Sequence, residues 1–163
     1  MTELNPKAAG YSEKLRVRVC GICIKDDKLL LIKHDHTIGN KAFWAPPGGG
    51  LSYGETMKDC LKREMLEETG LHVEINRFLF VNEFMQQPLH AVEFFFEVSI
   101  TDGELLTGSD PEVTREQQLI QKAQWLPIKE ILAIPLPDKH RVLQYLISLD
   151  DLLGQDHYFI SGK

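Results

Sequence analysis

Apolar and polar residues alternate through "LRVRVCGICIK", Leu15 to Lys25, at the period of a half-buried strand. After "KDDK" the apolar run "LLLIKH", Leu29 to His34, returns, so the two stretches predict a hairpin with an Asp-rich turn. "DHTIGNK" is a loop, "AFWAP" a short extended piece, and "PPGGGLSYGE" a loop by composition. The period then changes to that of a helix from about Thr56 to Thr69, with Thr56 or a residue just before it as cap and Gly70 as stop. Two β-rich segments follow, Val73 to Phe84 and Ala91 to Ile100, joined by "MQQPL". A long polar loop, "TDGELLTGSDPEVTREQQ", leads to a short strand in "AQWLP" and one or two helical turns in "IKEILA". A loop of that length points to function. "PDKHRVLQYLISL" reads as an amphipathic helix after Pro137, with Val142, Leu143, Leu146 and Leu149 on one side. Residues 1–13 read as a loose, flexible arm, 14–153 as one domain, and 154–163 as a peripheral tail. Strands interleaved with two good helices predict an α/β fold with a mixed sheet between helices.

The chain of 163 residues fits one domain, and 43% hydrophobic with 26% charged residues is a globular composition. A net charge of −6 speaks against the phosphate-backbone grip of a nucleic-acid binder, so no polymer partner is expected. It leaves room for a small phosphorylated ligand if a metal ion brings positive charge. No apolar run of membrane-spanning length and no signal-type N-terminus is seen, so no membrane partner is expected. Cys20 and Cys23 form a C-x-x-C, but strand alternation sends them to opposite faces, and no second pair follows. With Cys60 they read as reduced, buried thiols, which suits a cytoplasmic location.

On a wheel at about 100° per residue, Met57, Cys60 and Leu61 share one arc. Glu64 and Glu68 fall in the same arc and Glu67 at its edge, while Leu66 points away. The apolar stripe therefore turns acidic, and these glutamates are expected at the floor of a cleft. Like charges at i, i+3 and i, i+4 repel, and more so where water is scarce. Two compensators are available. Arg63 is placed to pair with Glu55 or Glu67. A divalent cation held by carboxylates and a backbone carbonyl, without Cys or His, would be Mg²⁺ or Mn²⁺ rather than Zn²⁺. Gly48, Gly49 and Gly50 let backbone pass close to such a helix.

The spacing of these residues resembles the Nudix box. Gly49, five residues, Glu55, seven residues and then Arg63-Glu64-Met65-Leu66-Glu67-Glu68-Thr69-Gly70-Leu71 match G-x5-E-x7-R-E-U-x-E-E-x-G-U at every specified position, with Met65 taken as aliphatic. A chance match in a chain this long is on the order of one in a million at average composition. The box spans 23 residues. The hairpin before it, the lead-in "WAPPGG", the paired strands after it and "AQWLPIKEI" are also similar to the family. Cys60 stands where an alanine is common.

The resemblance to Nudix hydrolases (MutT-like) implies an α/β/α sandwich and hydrolysis of a nucleoside diphosphate linked to another group. It implies Glu64, Glu67 and Glu68 as metal-binding carboxylates, helped by the Gly48 carbonyl. Arg63 and Glu55 are implied as the brace of the loop–helix junction, with Gly49 and Gly70 structural. The family's general base is sometimes a box glutamate and sometimes a downstream loop acid. Candidates are Glu93, Glu112 and Glu116, with Glu112 favoured for its place in the long polar loop.

Arg16 and Arg18 share one strand face and are candidates for phosphate contact. Trp44, beside Phe43, is a candidate for stacking on a base, against the alternative of core packing. His34 and His36 are not taken as ligands. Pro88 falls near, but not at, the position where ADP-ribose hydrolases of the family carry a proline. The β-rich segments after the box offer edges for a homodimer. A non-catalytic Nudix-like nucleotide sensor is the alternative function, but such relatives often lose box glutamates and this chain keeps them. A Nudix-fold isomerase would need a catalytic Cys and further segments not found here.

Overall fold

The computed structural model describes residues 6–35, 42–106, 120–154 and 158–161. Its strands are β1 (Leu15–Ile22), β2 (Ile24–Lys25), β3 (Lys28–Asp35), β4 (Ala42–Ala45), β5 (Gly48–Gly50), β6 (Leu71–Gln86), β7 (Leu89–Gly103), β8 (Ile120–Pro127) and β9 (Tyr158–Ser161). Helix α1 spans Met57–Thr69 and α2 spans Ile128–Ala133.

The central sheet has the order β5-β1-β7-β6-β9. It is mixed: β1 runs parallel to β7 and β9 parallel to β6, while the β1–β5 and β6–β7 pairs are antiparallel. A second sheet is built around β3, which pairs with β8 and with β2 and β4. The predicted strand from Leu15 to Lys25 is broken at Cys23, so its first part joins one sheet and its last two residues the other. Asp26 and Asp27 make the turn at φ 51° and 56°. Asp is among the few residues that tolerate this region, which explains the Asp pair.

The central sheet has a core on each face, and the strand period assigns residues to them. Val19 packs with Cys60, Leu61, Met65, Val73 and Val98 under α1. Cys20, one residue on, packs on the opposite face with Phe80, Phe95, Ile131, Val142 and Leu143. Cys20 and Cys23 thus lie in different cores, and all three cysteines are free and buried. The fold is α/β with a central mixed sheet, as expected.

Three elements differ from the sequence reading. The predicted helix after Pro137 is replaced by three short 3-10 turns, Leu136–Asp138, Arg141–Leu143 and Leu149–Leu152. One tertiary bond and several local side-chain bonds claim the backbone a helix would need. The Trp44 carbonyl accepts the His140 N–H at 2.7 Å, and the His140 side chain accepts the Val142 N–H. Asp151 accepts the N–H groups of Ile147 and Ser148. The expected core residues Val142, Leu143, Leu146 and Leu149 are nonetheless buried. Second, the tail is not merely peripheral: β9 extends the central sheet beside β6. Third, the glycine run is an edge strand rather than a loop, paired through Arg18↔Gly50, Val19↔Gly49 and Cys20↔Gly48. The N-terminal arm, in its described part, forms a 3-10 turn at Pro6–Tyr11, and the Glu13 N–H donates to the Pro88 carbonyl.

Leu143 is fully buried among the aromatic and aliphatic side chains of the core on the face opposite α1. Leu143→Ala is expected to cost about 2–5 kcal/mol through lost burial and the cavity left behind, read as a lowered urea midpoint. An unchanged midpoint would show that this turn is not packed as described.

Candidate active site

Helix α1 starts and stops where its sequence says. The Thr56 hydroxyl accepts the Asp59 N–H at 3.1 Å. Gly70 takes the left-handed conformation at φ 74°, and its N–H donates to the Leu66 carbonyl. The buried stripe of the helix runs through Cys60, Leu61, Met65 and Thr69. Glu64 and Glu68 therefore flank the stripe, half-buried, rather than continuing it as expected. The wheel neglected Met65 and Thr69, which carry the core-facing side over the last two turns.

The glutamates meet the glycine strand. The Gly48 N–H donates to Glu68 Oε2 at 2.9 Å. A Cβ at Gly49 would overlap the Glu64 carboxylate, so that side chain occupies the space a larger residue would take. Arg63 gathers the rest. It donates to both Glu55 oxygens at 2.7 and 3.0 Å, to Glu64 at 2.8 Å, to Glu67 at 3.1 Å and to the Gly50 carbonyl at 3.4 Å. Glu55 and Glu67 were expected partners; Glu64 is an additional one. Arg63 offers a planar fork with several donors, which suits this convergence better than a lysine would. Its hydrogen bond holds the Glu55 carboxyl below the usual range. Burial pushes Glu64 upward, with Arg63 opposing.

Arg18 reaches the same strand from the face opposite α1, the face it shares with Cys20. Its Nη2 donates to the Gly48 carbonyl at 3.2 Å. Arg16 lies on this face too, with its guanidinium 3.8 Å from the centre of the Tyr11 ring. Burial, then the neighbouring Arg18 charge, brings Arg16 down to about 10. Gly48 thus donates to a carboxylate through its amide and accepts from a guanidinium through its carbonyl.

The structure brings Gly48, Gly49, Glu55, Arg63, Glu64, Glu67, Glu68, Gly70, Arg16 and Arg18 to one helix and one strand pair. Trp44 lies instead on β4 of the second sheet, half-buried against the core, with Lys33 and Lys122 near its ring. Glu112 and Glu116 lie outside the described residues, as does His36. Glu93 does not suit a general base. It is 3% exposed and its oxygens are engaged by Asn82, His140 and Arg18. Burial alone would raise its pKa, but His140, Arg18 and Asn82 outweigh this and bring it down to about 2. One signal in the sequence was available: Glu93 sits between Ala91 and Phe95 on the buried phase of an apolar strand.

The chain is similar to known proteins over most of its length. The family model for the NUDIX domain matches residues 14–146. An ADP-ribose pyrophosphatase of Methanocaldococcus jannaschii is 36% identical over 96 residues, 58% of this chain and 56% of the relative. A putative ADP-ribose pyrophosphatase of Bacillus subtilis, YjhB, is 30% identical over 114 residues, 66% of this chain and 52% of the relative. The chain thus spans about half the length of these two curated relatives. A solved NUDIX hydrolase from Nitrosomonas europaea superposes with a TM-score of 0.67 at 25% identity, covering 88% of this chain and 93% of that one. The family match takes in the hairpin, the glycine strand, the acidic helix and the strands β6 and β7 that follow it, and the chain belongs to the Nudix family.

Proposed function

We propose that the protein hydrolyses a phosphoanhydride bond in a nucleoside diphosphate linked to another moiety, using a divalent cation, Mg²⁺ or Mn²⁺. One observation carries this reading: Glu64 and Glu68 of one helix meet one glycine strand, Arg63 ties Glu67 to them, and Arg18 reaches the same strand from the other face. The donor set fits a hard cation, since it consists of carboxylate oxygens and the Gly48 carbonyl. Among the described residues, no three acidic, His or Cys side chains stand at metal-ligating spacing. Arg63 holds Glu64 and Glu67, and the Gly48 amide holds Glu68. Glu64, Glu67 and Glu68 are the groups that would hold the ion, with the second lone pair of the Gly48 carbonyl, whose first accepts from Arg18.

When bound, such an ion polarises the phosphate and lowers the pKa of an attacking water. The chain supplies the rest. Arg63 and Glu55 fix the junction between glycine strand and helix. Arg18 and Arg16 present positive charge to diphosphate oxygens that an acidic protein would otherwise repel. Glu112 is assigned as the base that takes the proton from water, a role that a carboxylate can serve. Two relatives carry ADP-ribose pyrophosphatase names, so ADP-ribose is the first substrate to try.

A hydrolysis screen over ADP-ribose, NTPs, nucleotide sugars and dinucleoside polyphosphates tests the reading. Turnover of at least one class is expected with Mg²⁺, and its loss with excess EDTA. If none is turned over with Mg²⁺ or Mn²⁺, the non-catalytic sensor reading takes its place.

A further inference from the structure

One buried polar cluster lies beside the site and is not part of the box. The sheet register aligns Asn82 on β6, Glu93 on β7, Arg18 on β1 and Gly50 on β5 across four adjacent strands. Asn82 Nδ2 donates to Glu93 Oε2 at 2.8 Å, and His140 Nε2 lies 2.7 Å from the same oxygen. The His140 Nδ1 accepts the Val142 N–H at 3.2 Å. That leaves Nε2 as the ring donor to Glu93. The remaining oxygen, Oε1, faces Arg18 Nη1 at 3.7 Å. Arg18 then donates to the Gly48 carbonyl. The contacts form a line from the core opposite α1 to the glycine strand.

We propose that Glu93 is a positioning residue: fixed by Asn82 and His140, it holds the Arg18 guanidinium at the Gly48 carbonyl, where that cation meets the substrate diphosphate. This rests on the reading of the site as a diphosphate hydrolase. The two ends of the pair differ in the way the role requires. The Glu93 side chain is 4% exposed and held by Asn82 and His140, whereas the Arg18 side chain is 26% exposed and its guanidinium reaches Gly48, the residue just before the box. A long arginine side chain loses much rotamer freedom when it is fixed. An anchor ordered in advance removes that loss from the binding step. A purely structural cluster would have no need of a charge, since apolar residues of similar volume often serve a core as well or better.

A double-mutant cycle with Arg18→Lys and Glu93→Gln tests the coupling. Glu93→Gln is expected to lower kcat/KM roughly 10- to 100-fold, as loss of an outer partner typically does. With Lys at position 18, the same change should cost no more than about 2-fold. ADP binding, followed by calorimetry without added metal, should weaken in both single variants and no further in the double. Losses that multiply would overturn the proposal, as would a Glu93→Gln protein that melts earlier but keeps parental kcat/KM and ADP affinity. If the parent turns over no diphosphate, the hydrolase reading fails. The ADP arm still decides the positioning role, and a parent that binds no ADP overturns it. Should Glu93→Gln not fold, Asn82→Leu removes one tether and keeps the charge. Its smaller loss must likewise vanish with Lys at position 18.

Discussion

Glu64→Gln and Glu68→Gln should each lower metal-dependent turnover by roughly 10²-fold or more, while the melting temperature stays near that of the parent. The substitution is chosen to isolate charge. Glu68 accepts the Gly48 N–H at 2.9 Å, and a glutamine keeps an oxygen that accepts the same bond. Glu64 lies in the space above Gly49, and a glutamine has nearly its size. What each variant loses is the negative oxygen a divalent cation needs. Stability should change little because each removed charge also relieves repulsion among three neighbouring acids. The measurement is initial rate against Mg²⁺ concentration, with a thermal melt on the same preparation. A pair of variants that hydrolyse at the parental rate would remove both residues from the site. A pair that is inactive only because it has unfolded would move them from chemistry to architecture.

The box was legible because its chemistry depends on local spacing. Within a helix, i, i+3 and i, i+4 neighbours are fixed by the backbone, so Glu64, Glu67 and Glu68 were certain to converge once Met57–Thr69 was helical. Arg63 to Glu55 spans only eight residues and could be read the same way. Glu93 could not, because its partners lie 11, 47 and 75 residues away on other strands and a turn. Their meeting depends on sheet register, which one sequence does not state.

The failures elsewhere have the same origin. Val142, Leu143, Leu146 and Leu149 were identified as core from their period, yet the segment is not one helix. Burial constrains which side chains face in, and several backbone paths satisfy it. Here the extended stretch at Lys139 and His140 bonds to Trp44, and Lys139 is buried with its Nζ donating to the Ile131 carbonyl at 2.9 Å. A lysine in that place reads from sequence as a solvent-facing residue. The glycine run was read as a loop because glycine has poor strand propensity. Its pairing with β1 overrides that preference, since β1 supplies the hydrogen-bonding edge.

Adjacent glycines of that strand should respond to alanine in opposite ways. Gly48 has φ 152°, a conformation that residues with a side chain rarely adopt, and a Cβ there would overlap the Val19 carbonyl and come within 2.6 Å of the Cys20 Cα. Those atoms are backbone of the paired strand and cannot step aside without opening the sheet edge. Gly48→Ala is therefore expected to cost about 3 kcal/mol, combining strain with overpacking, and to lower the melting temperature by roughly 5–10 °C. The three atoms nearest a Cβ at Gly49 all belong to the Glu64 carboxylate, the far end of a flexible side chain that rotates away at small cost. Gly49→Ala should thus melt within a few degrees of the parent, yet lose turnover to about the same extent as Glu64→Gln, because the carboxylate has been pushed from its place. Combining Gly49→Ala with Glu64→Gln should then add little to either loss, as expected for two changes acting on one group. The discriminating result is a Gly49→Ala protein that is both stable and fully active. It would show that Glu64 does not need the space over Gly49 to do its work, and that glycine is not required at position 49.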